Sequence, residues 1–152
     1  MGNGLTKGEV ENARDTFVNS ALSVKAIFLN ENIPLTFFKY KETLIEYIKS
    51  SESDIETIQN LIIDLNLWFG YFSDLEGITQ SLFLKKQNMK FYIDAFPKTP
   101  KNQAKSKEIS SEIIRLKLFL KQIKIQKKMF SNMSNHCLEM YNSACEHYLY
   151  RY

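Results

Sequence analysis

Turn-forming residues are scarce in this chain, with three Pro and five Gly in 152 residues. An all-β fold needs a turn signal about every ten residues, so the scarcity argues against one. Cysteine is nearly absent too. Cys137 and Cys145 fall in one predicted helix, their Cα atoms roughly 12 Å apart at the helical rise, too far to bridge. They read as free thiols in a reducing compartment, which points to a cytoplasmic protein. No run of eighteen apolar residues occurs, so no transmembrane helix is expected. The N-terminus has neither the basic flank nor the apolar stretch of a secretory signal.

Arginine is limited to Arg14, Arg115 and Arg151 among twenty basic residues, and the net charge is only +3. A reader of nucleic-acid bases usually draws on arginine for bidentate contacts. Histidine is limited to His136 and His147, roughly 16 Å apart along a helix and unable to share a metal. No H-E-x-x-H, C-x-x-C, G-x-x-x-x-G-K-[ST] or G-x-G-x-x-G occurs. His136-Cys137-Leu138-Glu139 is the reverse of the E-x-x-H motif that di-iron bundles use in pairs. Cys137 with His136, and Cys145 with His147, are too divergent on a helix to act as thiolate pairs. The chain is therefore read as non-enzymatic, with no metal or cofactor expected.

What is present is helical periodicity. Hydrophobic residues make up 44% and charged residues 24%, the balance of a globular domain, and the length fits one domain. Met1-Gly2-Asn3-Gly4-Leu5-Thr6 matches the N-myristoylation pattern at Gly2. Thr6-Lys7-Gly8-Glu9 also matches the capping box that opens a helix. The two are compatible: residues 1–5 form a flexible leader ahead of a capped helix. From Glu9 to Leu29, Val10, Ala13, Phe17, Ala21, Val24 and Phe28 mark one face.

Pro34 ends that helix and starts a second, to about Lys49, turning Phe37, Phe38, Leu44, Ile45 and Ile48 inward. Ser53-Asp54-Ile55-Glu56 is a second capping box. It opens a third helix, 54–96, with Ile55, Ile58, Ile62, Leu65 and Phe69 on one face. Gly70 and a third box, Ser73-Asp74-Leu75-Glu76, predict a kink there, re-phasing the inward face to Leu75, Ile78, Leu82, Met89 and Ile93. Residues 97–106 form a basic, proline-containing loop. A fourth helix, 107–150, follows through Ile109, Ile113, Leu116, Leu120, Ile123, Phe130, Cys137, Tyr141, Ala144 and Tyr148, with SNMSN at 131–135 as its weak point.

That fourth helix carries a second apolar stripe: Ile114, Leu118, Ile125 and Met129. A helix apolar on two sides is either buried mid-bundle or presents one stripe to another chain. Lys117, Lys121, Lys124 and Lys128 run beside the stripe. They could track phosphates or an anionic membrane, or be a solvated flank whose stems cover apolar surface.

Trp68-Phe69-Gly70 resembles the W-x-G turn of the small helical hairpins exported by type VII secretion. The likeness covers three residues. Those hairpins are shorter and end in Y-x-x-x-[DE], a spacing that no tyrosine of the C-terminal tail meets. Trp68 and Tyr71 read instead as core aromatics whose polar atoms need partners. In SSESDIE, phosphorylation is the alternative to capping, and capping explains the same letters without a kinase.

The expected fold is an all-α, up-down antiparallel bundle of four main helices in one domain, the third and fourth forming a long hairpin. The expected function is a small protein–protein interaction module, an adaptor, inhibitor or assembly subunit. Its contact surface would be Ile114, Leu118, Ile125 and Met129 with the lysine flank, and its partner a protein or a second copy. The second reading is a peripheral-membrane protein anchored by an acylated Gly2 and the lysine-rich loop, since one acyl chain plus a polybasic patch suffices. The third, association with nucleic acid, lacks a reading motif and an aromatic platform among the lysines.

Overall fold

A computed structural model of the chain describes residues 6–36, 42–50 and 54–151, and side chains as far as residue 147. Among the described residues four helices follow one another: α1 (Lys7–Asn30), α2 (Thr43–Lys49), α3 (Ile55–Asp94) and α4 (Pro100–Arg151). The fold is the expected all-α bundle, with α3 and α4 packed along each other as a long antiparallel hairpin.

Helix starts are set by side chains that accept otherwise unpaired backbone N–H groups. Thr6 caps α1, its hydroxyl accepting from the Glu9 N–H at 3.2 Å. At α3 the cap is Asp54, one residue later than the box beginning at Ser53 predicts; its carboxylate accepts from the Thr57 N–H at 2.9 Å. That bond holds the Asp54 carboxyl below the usual range. α1 closes with a left-handed Asn32, φ 57°. The Ile33 N–H returns to Phe28 O at 2.9 Å and the Asn32 N–H to Leu29 O at 3.1 Å, a Schellman arrangement. Ile33, the residue after the turn, then packs against the core.

The described elements compare with the sequence reading as follows in chain order. Of the expected second helix the described part is α2, Thr43–Lys49; Phe37 and Phe38 lie outside the described residues. α3 runs unbroken through Gly70 and Ser73, because its inward row never changes phase. Ile58, Leu61, Leu65, Phe72, Leu75, Thr79, Leu82 and Lys86 are all buried, at steps of three and four residues with one step of seven from Leu65 to Phe72. Ile78, expected inside, is 43% exposed. The basic loop shrinks to residues 95–99, since α4 already begins at Pro100. Thr99 caps it by accepting from the Asn102 N–H at 3.1 Å, and Pro100 occupies the first helical position, where no N–H is needed. SNMSN does not interrupt α4.

α1 lies antiparallel to α4 across one side of the hairpin. Gln126 donates to Ala13 O at 3.2 Å and Arg115 donates to Ser23 O at 3.1 Å. Between them sits an aromatic centre: Phe17 meets Phe72 edge-on at 5.2 Å and Phe119 at 5.5 Å, while Phe28 meets Phe119 at 5.9 Å. Phe130 continues the stack to Phe72 and Trp68. All five phenylalanines are fully buried, each stabilising by about 1.5–3 kcal/mol relative to exposure. At the C-terminal end of α1, Glu31 pairs with Lys85 of α3 at 2.7 Å.

Candidate interaction surface

The predicted stripe on α4 divides. Ile114 is 60% exposed, Leu118 56% and Ile125 39%, standing on the side of α4 away from the buried Leu116, Phe119, Ile123 and Phe130. Met129 is half-buried and packs against the core. Fifteen residues after Ile114, it has drifted about 60° around an ideal helix, enough to carry it over the edge of the packed side.

Lys117, Lys121, Lys124 and Lys128 are all exposed. Among the described residues none of the four reaches a carboxylate within ion-pair distance. Lys127, one step away, does: its Nζ lies 2.8 Å from Glu76 and 5.5 Å from the centre of the Phe69 ring. Phe69, Glu76, Lys124, Lys127, Lys128 and Ser131 line an open groove of about 300 Å³ where α3 meets α4. The structure thus brings a cationic row beside three uncovered apolar side chains.

A second apolar surface was not separated from the core by sequence reasoning. Ile63, Gly70, Gly77, Leu84 and Phe91 follow one another at seven-residue steps along α3, and every one is exposed. Leu67, at 66%, and Ile78 widen the strip. A Cβ added at Gly70 or Gly77 would meet nothing within 4 Å, so neither glycine is required by packing inside the chain. The signal was the heptad itself, hidden by re-phasing the pattern at Ser73.

The groups considered for chemistry stay apart. His136 is half-buried against Tyr47, ring centres 6.0 Å apart, and His147 is exposed. Burial pushes the Cys137 thiol up to about 11, which makes it a poor nucleophile. Burial raises Tyr71 as well, opposed by its hydrogen bond with Thr36. No group of three or more His, Cys, Asp or Glu side chains suited to a metal occurs among the described residues. None of the described helices is long and apolar enough to cross a membrane. Gly2 lies outside the described residues.

No protein family, curated protein or solved structure matches this chain.

Proposed function

We propose that the protein is a small helical interaction module, an adaptor, inhibitor or assembly subunit, that binds a protein partner through the outer face of α4. The observation that carries this reading is the exposure of Ile114, Leu118 and Ile125 on a helix whose opposite side already supplies a complete core. Three apolar side chains standing in water next to a lysine row serve as anchors for a helical or apolar surface with an acidic border. Burying each would contribute about 1.5–3 kcal/mol. A stable interface needs roughly 800 Å² per partner, so the stripe supplies the centre of a larger contact.

A second copy of the chain is the partner to test first. Sedimentation velocity of wild type over a range of concentrations should show association, and Leu118→Glu/Ile125→Glu should be monomeric with unchanged helix content. A wild type that stays monomeric beside a folded double variant would exclude self-association through this stripe. A double variant that unfolds would place the stripe in the core and sink the reading.

A further inference from the structure

The α3–α4 hairpin outruns the rest of the bundle. α1 ends at Asn30, and just beyond it Glu31 pairs with Lys85 and approaches Lys86 of α3. Past that level, residues 87–111 form a two-helix arm. Its tip carries three of the most exposed apolar side chains among the described residues: Phe91 at 74%, Tyr92 at 66% and Phe96 at 59%. Along residues 87–111 it holds five lysines (Lys90, Lys98, Lys101, Lys105 and Lys107) against two acids, Glu108 and, nearer the tip, Asp94. Asp94 is already engaged, receiving Lys90 at 2.5 Å and the Ser106 hydroxyl at 2.6 Å. Both bonds hold its carboxyl below the usual range.

We propose that this tip, Phe91, Tyr92 and Phe96 with Lys98, Lys101, Lys105 and Lys107, docks on the headgroup layer of an anionic lipid bilayer. The aromatic exposure is not the product of a loose turn. Thr99 caps α4, Asn102 donates to Pro97 O at 2.9 Å, and Asp94 ties the two helices through Ser106. From Phe91 to the end of α3 is roughly 5 Å of helix, within the depth to which interfacial segments sink their apolar groups. Lysines at that level reach lipid phosphates while their stems stay on apolar surface.

Phe91 and Tyr92, being consecutive, point about 100° apart, with ring centres 6.1 Å from each other. Such a convex knob offers a protein partner no single flat face, whereas a fluid headgroup layer needs no matched shape. An open cavity of about 470 Å³ between the helix ends is lined by Ile93 and Phe96 together with Lys98 and Lys107, and also by Asp94, whose charge Lys90 already meets. Phe91, Tyr92 and Phe96 stand on α3 and the turn after it rather than on the α4 stripe, and the proposal does not rest on that reading or on acylation of Gly2.

The test uses unacylated full-length protein at physiological salt, with vesicles of phosphatidylcholine alone or with added phosphatidylserine. Co-sedimentation should require phosphatidylserine and fall about tenfold or more in Lys98→Glu/Lys101→Glu/Lys105→Glu. It should also be lost in Phe91→Ala/Tyr92→Ala/Phe96→Ala, whose exposed positions leave the helix content unchanged. Brominated lipid should quench a Trp in Phe96→Trp and leave wild type unquenched, since Trp68 is the only native Trp and lies roughly 40 Å up α3. The proposal is overturned by absent binding to phosphatidylserine vesicles, by undiminished binding of either triple variant, or by quenching of wild-type Trp68. Binding of an oligonucleotide or an acidic protein in place of the vesicles would overturn it equally.

Discussion

Lys86 Nζ lies 3.2 Å from a Glu112 carboxylate oxygen and 3.9 Å from Glu31, and the side chains of Lys86 and Glu112 are only 9% and 11% exposed. The pair joins α3 to α4 at the level where α1 ends. Taking two charges out of water is costly, and their attraction repays that cost only while both are present. Lys86→Met should therefore cost about 3–5 kcal/mol, because Glu112 would be left buried without its partner. Lys86→Met/Glu112→Leu should recover most of the loss, and urea denaturation of the two singles and the double measures the coupling. A double variant as unstable as Lys86→Met would show that the pair is not the source of the penalty.

Gly70 and Gly77 sit inside a forty-residue helix with open space where a Cβ would point. In a helix interior glycine is less favourable than alanine by about 0.8–1.0 kcal/mol. Gly70→Ala and Gly77→Ala should each raise the unfolding free energy by close to that amount, and the two should add because they lie two turns apart. A drop in Tm for either variant would mean that a neighbour approaches α3 closely there.

These glycines also show what was legible in the sequence and what was not. The helical class, the hairpin and most of the core followed from spacing alone, since Phe17, Leu65, Leu116 and Phe130 recur at helical intervals and are buried. Local cap chemistry was less decisive. Thr6 does cap α1, yet Ser73-Asp74-Leu75-Glu76 has the same letters in mid-helix, because the inward row from Leu65 through Phe72 to Leu75 already supplies a partner surface for the next turn. Lys86 and Glu112 were unreadable as a pair, as a buried charge looks like any surface charge until the facing helix is in place. On α4, exposure of Ile114 and Leu118 depended on α1 covering the Phe119 side, a tertiary choice that periodicity does not encode.

Thr43 opens α2 with its hydroxyl buried and without a hydrogen-bond partner among the described residues. A buried polar group left unpaired costs about 1–3 kcal/mol, and replacing it with an apolar group of the same shape removes that cost. Thr43→Val is expected to stabilise the protein by about 1 kcal/mol or more, whereas Thr43→Ala should gain less because it leaves a small void. Equilibrium denaturation of both variants orders them. Destabilisation by Thr43→Val would indicate a bond that the hydroxyl makes in solution.

Alkaline pH should weaken the fold. Burial raises the Cys137 thiol from 9.0 to about 11. It also raises the Tyr47 hydroxyl from 10.0 to about 12, with a smaller contribution from nearby Cys137. Tyr141 moves the same way through its hydrogen bond with Cys145. In each case the folded chain holds its proton to higher pH than the unfolded chain does. Stability is therefore fully present below about pH 9 and declines as the unfolded chain ionises, through about pH 12. Cys137 and Tyr47 should each account for roughly 1–2 kcal/mol of that decline. Urea midpoints at neutral pH and near pH 11 should differ strongly for wild type, and by clearly less for Tyr47→Phe/Cys137→Ala. An unchanged pH dependence in that double variant would place the alkaline sensitivity elsewhere.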